Sequence, residues 1–308
     1  MRMRMKVLIV PGLVALLAPG VRAQQGYQVY PDEYLPSLPA TEVDRTTVVP
    51  LTVAPDLEST LYKMADYLGM LRRQQDVDSI ITVDYRGSGT MTYGGQMRSV
   101  ESYRGTVRYD VPGMRADFTL AGAGGQPQER HIEVVAGDAA WNETEPGAGL
   151  VPGQGIATPA PEAAGERLLR ILSLPHGFVK AAVSAGDDAE VTLEDGVVYV
   201  SFPLSAPLEG TAKAALNTTD VLVLTLDNGD QFELSNQIDR IEIQVGDVVT
   251  ETTFGNYQDW NEADYKSDVL FPGRIVQRRD GETLLDLTVT LTNTYNPYVI
   301  MPVPESVR

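Results

Sequence analysis

No cysteine occurs anywhere in the 308 residues, and histidine occurs only twice, as His131 and His176. The first absence excludes a disulfide framework, a thiol nucleophile and an iron–sulfur cluster. With so little histidine, a zinc site would depend on carboxylates, and neither a metal nor another cofactor is expected. Basic charge is scarce as well: 24 Lys and Arg stand against 42 Asp and Glu, a net charge of −18. A chain this acidic repels phosphate backbones, which argues against nucleic acid as a partner. Aromatic residues make up only 7%, but the hydrophobic share of 43% is ample for a core and excludes intrinsic disorder. No internal repeat of roughly 20–50 residues is present, so a solenoid or propeller is not expected.

What is present starts with a basic stretch. Arg2, Arg4 and Lys6 precede an apolar run from Val7 to Leu17, and Val21-Arg22-Ala23 offers small residues where a signal peptidase cuts. Residues 1–23 therefore read as a cleaved secretory signal, since the run falls short of the roughly 20 residues that span a bilayer. Losing Arg2, Arg4, Lys6 and Arg22 with it takes the net charge from −18 to −22. No later segment is apolar enough to cross a membrane, so the expected location is the periplasm or the extracellular space.

Residues 24–55 carry Pro31, Pro36, Pro39, Pro50 and Pro55, which forbid continuous helix and suggest an extended arm. Asp56 can cap a helix over 57–75, in which Leu57, Leu61, Met64, Ala65, Leu68 and Leu71 recur at three- and four-residue steps. From Ile81 to Tyr93 the period becomes two, with Gly87 and Gly89 on the apolar side mid-strand. Residues 99–111 repeat the pattern: Tyr103, Gly105, Val107, Tyr109 and Val111 alternate with Arg104, Thr106, Arg108 and Asp110. Two long strands with mid-face glycines predict a strongly bent antiparallel sheet with one wet face. Shorter strands are expected at 114–120 and 130–136, a Gly/Pro-rich loop at 145–161, and helices at about 162–174 and 176–185, divided by Pro175. Nine further strands follow from 190 to 292, with hairpin turns at Asp195-Gly196 and Asn228-Gly229. The last strand alternates cleanly at Leu285, Leu287, Val289 and Leu291. The fold class is thus mainly β (α+β), about a dozen strands in a curved half-barrel with about three helices over the concave face. It occupies residues 56–292 and is followed by a tail, 293–308.

Candidate chemistry is thin. His176 and Lys180, one helical turn apart, could serve general-base catalysis. No acidic partner or nucleophile elbow accompanies them, and Pro175-His176-Gly177 reads better as a helix–helix corner with the imidazole bonded to a backbone carbonyl. His131 falls on the polar side of its strand, where it should be solvated. Asp187-Asp188 and Asp259-Trp260-Asn261-Glu262 lack the spacing of a calcium loop. Gly87-Ser88-Gly89 is not a hydrolase elbow, and Gly122-Ala123-Gly124-Gly125 is a turn without the Lys-Ser/Thr of a phosphate cradle. No enzyme is expected. Geometry remains: a concave apolar face must be covered, and any gap under its helical cover would accept a hydrophobic ligand. The residues expected to line it are Tyr85, Met91, Tyr103 and Val107 from the sheet, with Leu169, Leu172 and Phe178 from the helices.

Several segments resemble a set of exported bacterial proteins. They are Leu172-Ser173-Leu174-Pro175-His176-Gly177-Phe178-Val179-Lys180-Ala181-Ala182, Val83-Asp84-Tyr85-Arg86-Gly87-Ser88-Gly89, Ala140-Trp141-Asn142, and Val269-Leu270-Phe271-Pro272-Gly273-Arg274-Ile275-Val276-Gln277-Arg278. The group is similar to the LolA/LolB/RseB half-barrel, the outer-membrane lipoprotein-sorting type, and stands alone or precedes a metallo-β-lactamase-type hydrolase domain. The resemblance implies a curved sheet plugged by helices, and a lipid or lipoprotein acyl chain as partner. It implies no hydrolase here, because a His-x-His-x-Asp-His run is absent. The competing expectation is a structural or interaction subunit of a cell-envelope assembly, docking on an envelope protein through the arm at 24–55 and the tail.

Overall fold

A computed structural model describes residues 43–47, 51–71, 80–122, 127–218, 220–225, 231–234, 236–260, 269–294 and 299–308. Residues 1–23, where a secretory signal is expected, most of the arm, and the turns at Asn228-Gly229 and Gly122–Gly125 lie wholly or partly outside them. The strands are β1 (Val43–Thr47), β2 (Thr82–Tyr93), β3 (Gln96–Arg108), β4 (Gly113–Leu120), β5 (Glu129–Ala136), β6 (Ala139–Glu143), β7 (Ala157–Pro159), β8 (Glu190–Glu194), β9 (Val197–Leu204), β10 (Gly210–Asn217), β11 (Asp220–Thr225), β12 (Gln231–Leu234), β13 (Gln237–Val245), β14 (Val248–Asp259), β15 (Leu270–Arg279) and β16 (Glu282–Asn293). The helices are α1 (Leu57–Tyr67), α2 (Ala164–Leu172) and α3 (Pro175–Ala185).

Thirteen strands form one antiparallel sheet in the order β7-β6-β5-β4-β3-β2-β16-β15-β14-β13-β10-β9-β8. It does not close, so β7 and β8 are its edges, and the expected mainly-β half-barrel is what the chain builds. A separate small sheet pairs β1 with β11 and β11 with β12. The arm thus contributes a strand at 43–47.

Curvature comes from register shifts, each of which tightens local twist. One falls between Gly87 and Gly89, where β2 pairs with β3. A Cβ on Gly87 would stand 2.2 Å from the Thr288 carbonyl oxygen, and one on Gly89 1.9 Å from that of Asp286. These glycines therefore let β16 pair with a bulged strand. Gly105 has a different task. A Cβ there would stand 2.3 Å from Tyr85 Cζ, so Gly105 is the slot into which the Tyr85 ring lies.

A further shift, between Val289 and Leu291 on β16, overturns the expected alternation. One extra residue inverts which side faces inward. Leu287 and Val289 are buried, but Leu291 turns to solvent and Thr292 turns in. On β3, Tyr103, Gly105 and Val107 face inward, whereas Val111 lies beyond the strand and is exposed.

The first helix is shorter than its periodicity predicts. Asp56 caps it as expected, accepting from Ser59 N at 2.8 Å. The helix ends at Tyr67 because Gly69 takes a positive φ of 70° and Met70 N returns to the Ala65 carbonyl at 2.8 Å. Pro175 divides the other two helices by opening α3 at its first position. Asp195 and Gly196 both have positive φ, as a tight hairpin turn requires. Besides β1 in the arm, two strands lie where none were expected. Ala-rich β6 has little intrinsic strand preference, and β7 sits inside the Gly/Pro-rich loop.

Two apolar clusters result. The larger fills the concave side under α1, α2 and α3. The smaller, Ile132, Val134, Trp141 and Ala157, lies on the opposite face and is covered by Met301, Val303 and Val307 of the tail.

Candidate functional site

Strand register decides which side chains meet on the concave face. Gly87, Tyr103, Phe118 and His131 are cross-strand neighbours in one row, and Tyr85, Gly105, Ala116 and Glu133 in another. A carboxylate therefore points into the interior beside two tyrosines. From above, α2 supplies Arg170, whose Nη1 donates to Glu133 Oε2 at 2.5 Å and whose Nη2 donates to Glu166 Oε1 at 3.2 Å. Burial would raise the Glu133 pKa, but the charges of Arg170 and Arg167 outweigh it and hold the carboxyl below its usual range. Arg170 is displaced upward: burial works against its charge, and Glu133 more than restores it. Arg167, on the same helix, bonds the carbonyls of Val134 and Trp141 at 2.9 and 2.7 Å. Those bonds pin α2 to β5 and β6.

Between α2 and strands β2, β3, β14, β15 and β16 lies a cavity of about 70 Å³. Its apolar wall includes Tyr85, Met91, Tyr103, Leu174, Ile275 and Leu285. Its polar lining is Thr92, Glu166, Arg170, Ser173, Thr252 and Gln277. Glu166, with a side chain 49% exposed, marks where the cavity meets solvent. Tyr85 and Tyr103 are bonded through their hydroxyls, and burial pushes both phenols above their ordinary pKa. Both stay neutral.

Of the seven expected lining residues, the structure brings Tyr85, Met91 and Tyr103 to the cavity. Val107 is fully buried elsewhere in the core, and Phe178 packs on Phe202 with ring centroids 5.1 Å apart. Leu169 and Leu172 are half-buried against the core without lining the cavity. Sequence periodicity missed Glu166, Arg170 and Ser173. Their spacing of four and then three residues forms one helical stripe, the signal that could have found them.

His176 is fully buried at the α2–α3 corner, its Nε2 3.3 Å from the Leu68 carbonyl, as the structural reading of that segment expected. Burial first, and then the charge of Lys180, lower its pKa to about 3 against the pull of the Leu68 bond. It is neutral at any ordinary pH. His131 is not on the polar side. It shares a row with Phe118, stacks on that ring at 5.4 Å, and has Tyr93 Oη 3.1 Å from its Nδ1. Strand pairing turned it inward because β5 places 131, 133 and 135 on the concave face, whereas Ile132 and Val134 belong to the second cluster. Among the described residues, no group of three or more acids and histidines is placed to hold a metal, and no helix is long and apolar enough to cross a membrane.

No family model and no curated protein sequence matches the chain. Among solved structures, the chain is similar to a domain from Vibrio parahaemolyticus described as a candidate outer membrane lipoprotein-sorting protein. The match has a TM-score of 0.39 and 9% identity, and covers 77% of this chain and 93% of that one. No functional residue is carried across that likeness.

Proposed function

We propose that this chain is an exported, non-enzymatic protein of the LolA-like half-barrel type that holds a hydrophobic ligand, a lipid or lipoprotein acyl chain, against its concave sheet face. The observation that carries the reading is the cavity under α2, walled by Tyr85, Met91 and Tyr103. At about 70 Å³ it is less than half the volume of about 150 Å³ that admits a benzene ring, so an acyl chain enters only if the cover shifts. Within that cover Leu168, Leu169 and Leu172 of α2 are only half-buried, so these side chains can move aside while Arg167 keeps the helix on β5 and β6. Each methylene buried contributes about 0.8 kcal/mol, so a tail of about ten offsets the loss of several leucine contacts. Export rests on residues 1–23, and mass measurement of the mature protein should place its start at Gln24.

The direct test is native mass spectrometry, with lipid extraction, of protein purified from its own host. A bound apolar species is the expected result. Met91→Trp, which fills the cavity, should abolish its recovery. Recovery of nothing apolar, together with an experimental structure showing the interior filled and dry, overturns the reading.

A second reading, an assembly subunit docking through its arm, is favoured by β1, which pairs antiparallel with β11 from Val43↔Leu224 to Thr47↔Asp220. Residues 43–47 thus have the extended backbone that adds to a sheet edge, although here the edge is the chain's own β11. The tail supports this less well, because its residues 299–308 are spent covering the chain's own β5 and β6. Light scattering after deletion of 24–55 separates the two: an unchanged monomer argues against assembly.

A further inference from the structure

We infer that the cavity's occupant is an amphiphile with an anionic head, a carboxylate or a phosphate, bound by Arg170, Arg279 and Ser173; this rests on the cavity reading above and adds the chemistry of the head. Glu166 and Arg170 of α2, with Ser173 one residue past its end, fall on one helical stripe and line the cavity. A cover for purely apolar cargo would place leucine along that stripe, as α2 does at Leu168, Leu169 and Leu172.

Among the described residues, donors in the lining (Arg170, Ser173) and beside its mouth (Arg279, next to Glu166) are short of acceptors. Arg170 uses one nitrogen on Glu133 and another on Glu166. Arg279, reaching from β15, comes only to 3.9 Å from the same Glu166, too far for a hydrogen bond. Its buried Nε has no hydrogen-bond partner among the described residues. Ser173 is 3% exposed and its Oγ has no hydrogen-bond partner among the described residues. The other hydroxyls of the lining are served: Thr92 Oγ1 donates to the Thr283 carbonyl at 2.7 Å, and Thr252 Oγ1 accepts from Gln277 at 3.4 Å.

One half-exposed carboxylate thus shares two guanidiniums, beside an unbonded buried hydroxyl. A carboxylate or phosphate head brings two or three acceptor oxygens to these donors, a match for the planar forks of arginine. Glu166 is free to turn to solvent when displaced, and Glu133 keeps Arg170 in place. The chain as a whole repels anions, with a net charge of −18, so an anionic preference can arise only from this local arrangement.

Calorimetry of the purified protein with decanoate, decyl phosphate, decanol and decyltrimethylammonium, all below their micellar concentrations, tests the head at constant tail length. The anionic pair should bind at least about tenfold more tightly than decanol, the return expected from one charge-assisted bond. Preference for decanoate identifies a fatty-acid-like head, and preference for decyl phosphate a phospholipid-like one. Arg279→Gln and Ser173→Ala, checked for an unchanged melting temperature, should each bring the anionic affinity toward that of decanol while leaving decanol unaffected. Anionic preference unaltered in both variants overturns the inference, as does inorganic phosphate binding as tightly as decyl phosphate. Equal binding of all four amphiphiles overturns it while leaving the apolar cavity reading intact, and binding of none overturns both.

Discussion

The concave and convex faces of the large sheet are made from alternate residues of the same strands, yet they are stabilised differently. On the concave side, Val83, Val107, Met114 and Val135 form one cross-strand row beneath the helices. On the convex side the rows carry ion pairs: Arg104 with Asp84, Arg130 with Asp117 and Arg274 with Asp286. At one end that pattern stops. Ile132, Val134 and Trp141 occupy positions where charge would be expected, and residues 299–308 return to cover them. Within this patch Glu143 is enclosed too, accepting from Trp141 Nε1 at 2.9 Å, Arg115 Nε at 3.1 Å and Gly147 N at 2.9 Å. Alternation therefore identifies the wet face only where no distant segment comes back over it.

The sharpest way to break the concave side is at its glycines. Gly87→Ala and Gly89→Ala drive a methyl into backbone carbonyls that no rotamer can relieve, and each should cost about 4 kcal/mol in urea denaturation. Gly105→Ala meets a ring instead. It should cost about 3 kcal/mol, and a double-mutant cycle with Tyr85→Ala should return a coupling of about 2 kcal/mol. Absence of coupling would mean that the ring does not need the slot.

The convex patch should yield next. Removing residues 299–308 uncovers the faces that Met301, Val303 and Val307 protect and should cost about 3 kcal/mol. Hydrogen exchange should then accelerate in β5, β6 and β7 while β2 and β16 stay protected. Uniform acceleration would show that the two faces unfold as one.

Acid tests the helical cover. The folded pKa of His176, about 3, lies below its ordinary value near 6.5, so its contribution is full above pH 6.5 and is lost as pH falls. Asp66, in the last turn of α1, works oppositely: burial raises its pKa to about 6, so the stability it confers when protonated is lost as pH rises from 4 to 6. The two nearly cancel between pH 4 and 6. Asp66→Asn should reveal a loss of up to about 1.4 kcal/mol per pH unit on acidification, and His176→Gln a gain of about half that. Slopes of the same sign in both variants would contradict the assignment. The smallest effect belongs to the wet face, where Asp117→Ala should change stability by no more than about 0.5 kcal/mol, because Arg130 is half-exposed.

Much of the fold was legible locally. Asp56 announces a helix start, Pro175 another, and the two-residue period of β2 and of β16 up to Val289 marks the inward face. What was not legible depends on partners distant in the chain. The inversion at Leu291 is a pairing event with β2, and Ile132 looks like a core residue until the tail is seen to lie over it. Glu133 and His131 look like outward polar residues until the strand register turns them inward. For the site, sheet alternation pointed to Tyr85, Met91 and Tyr103 because aromatic and thioether side chains mid-strand must face cover. The leucines of α2 drew attention away from the polar stripe beside them, whose meaning needs Arg279 from more than a hundred residues later.

Because the large sheet never meets itself, two of its strands have no further strand beside them among the described residues, and these rims are blunted differently. β7 is three residues long and ends in Pro159, which offers no amide hydrogen to a newcomer. β8 carries Glu194, paired with Lys213, and Glu190, which has no such cation among the described residues, so a second acidic copy of the chain approaching that rim meets like charge at Glu190. A half-barrel can thus stay open along its edges without inviting its neighbours to polymerise strand by strand.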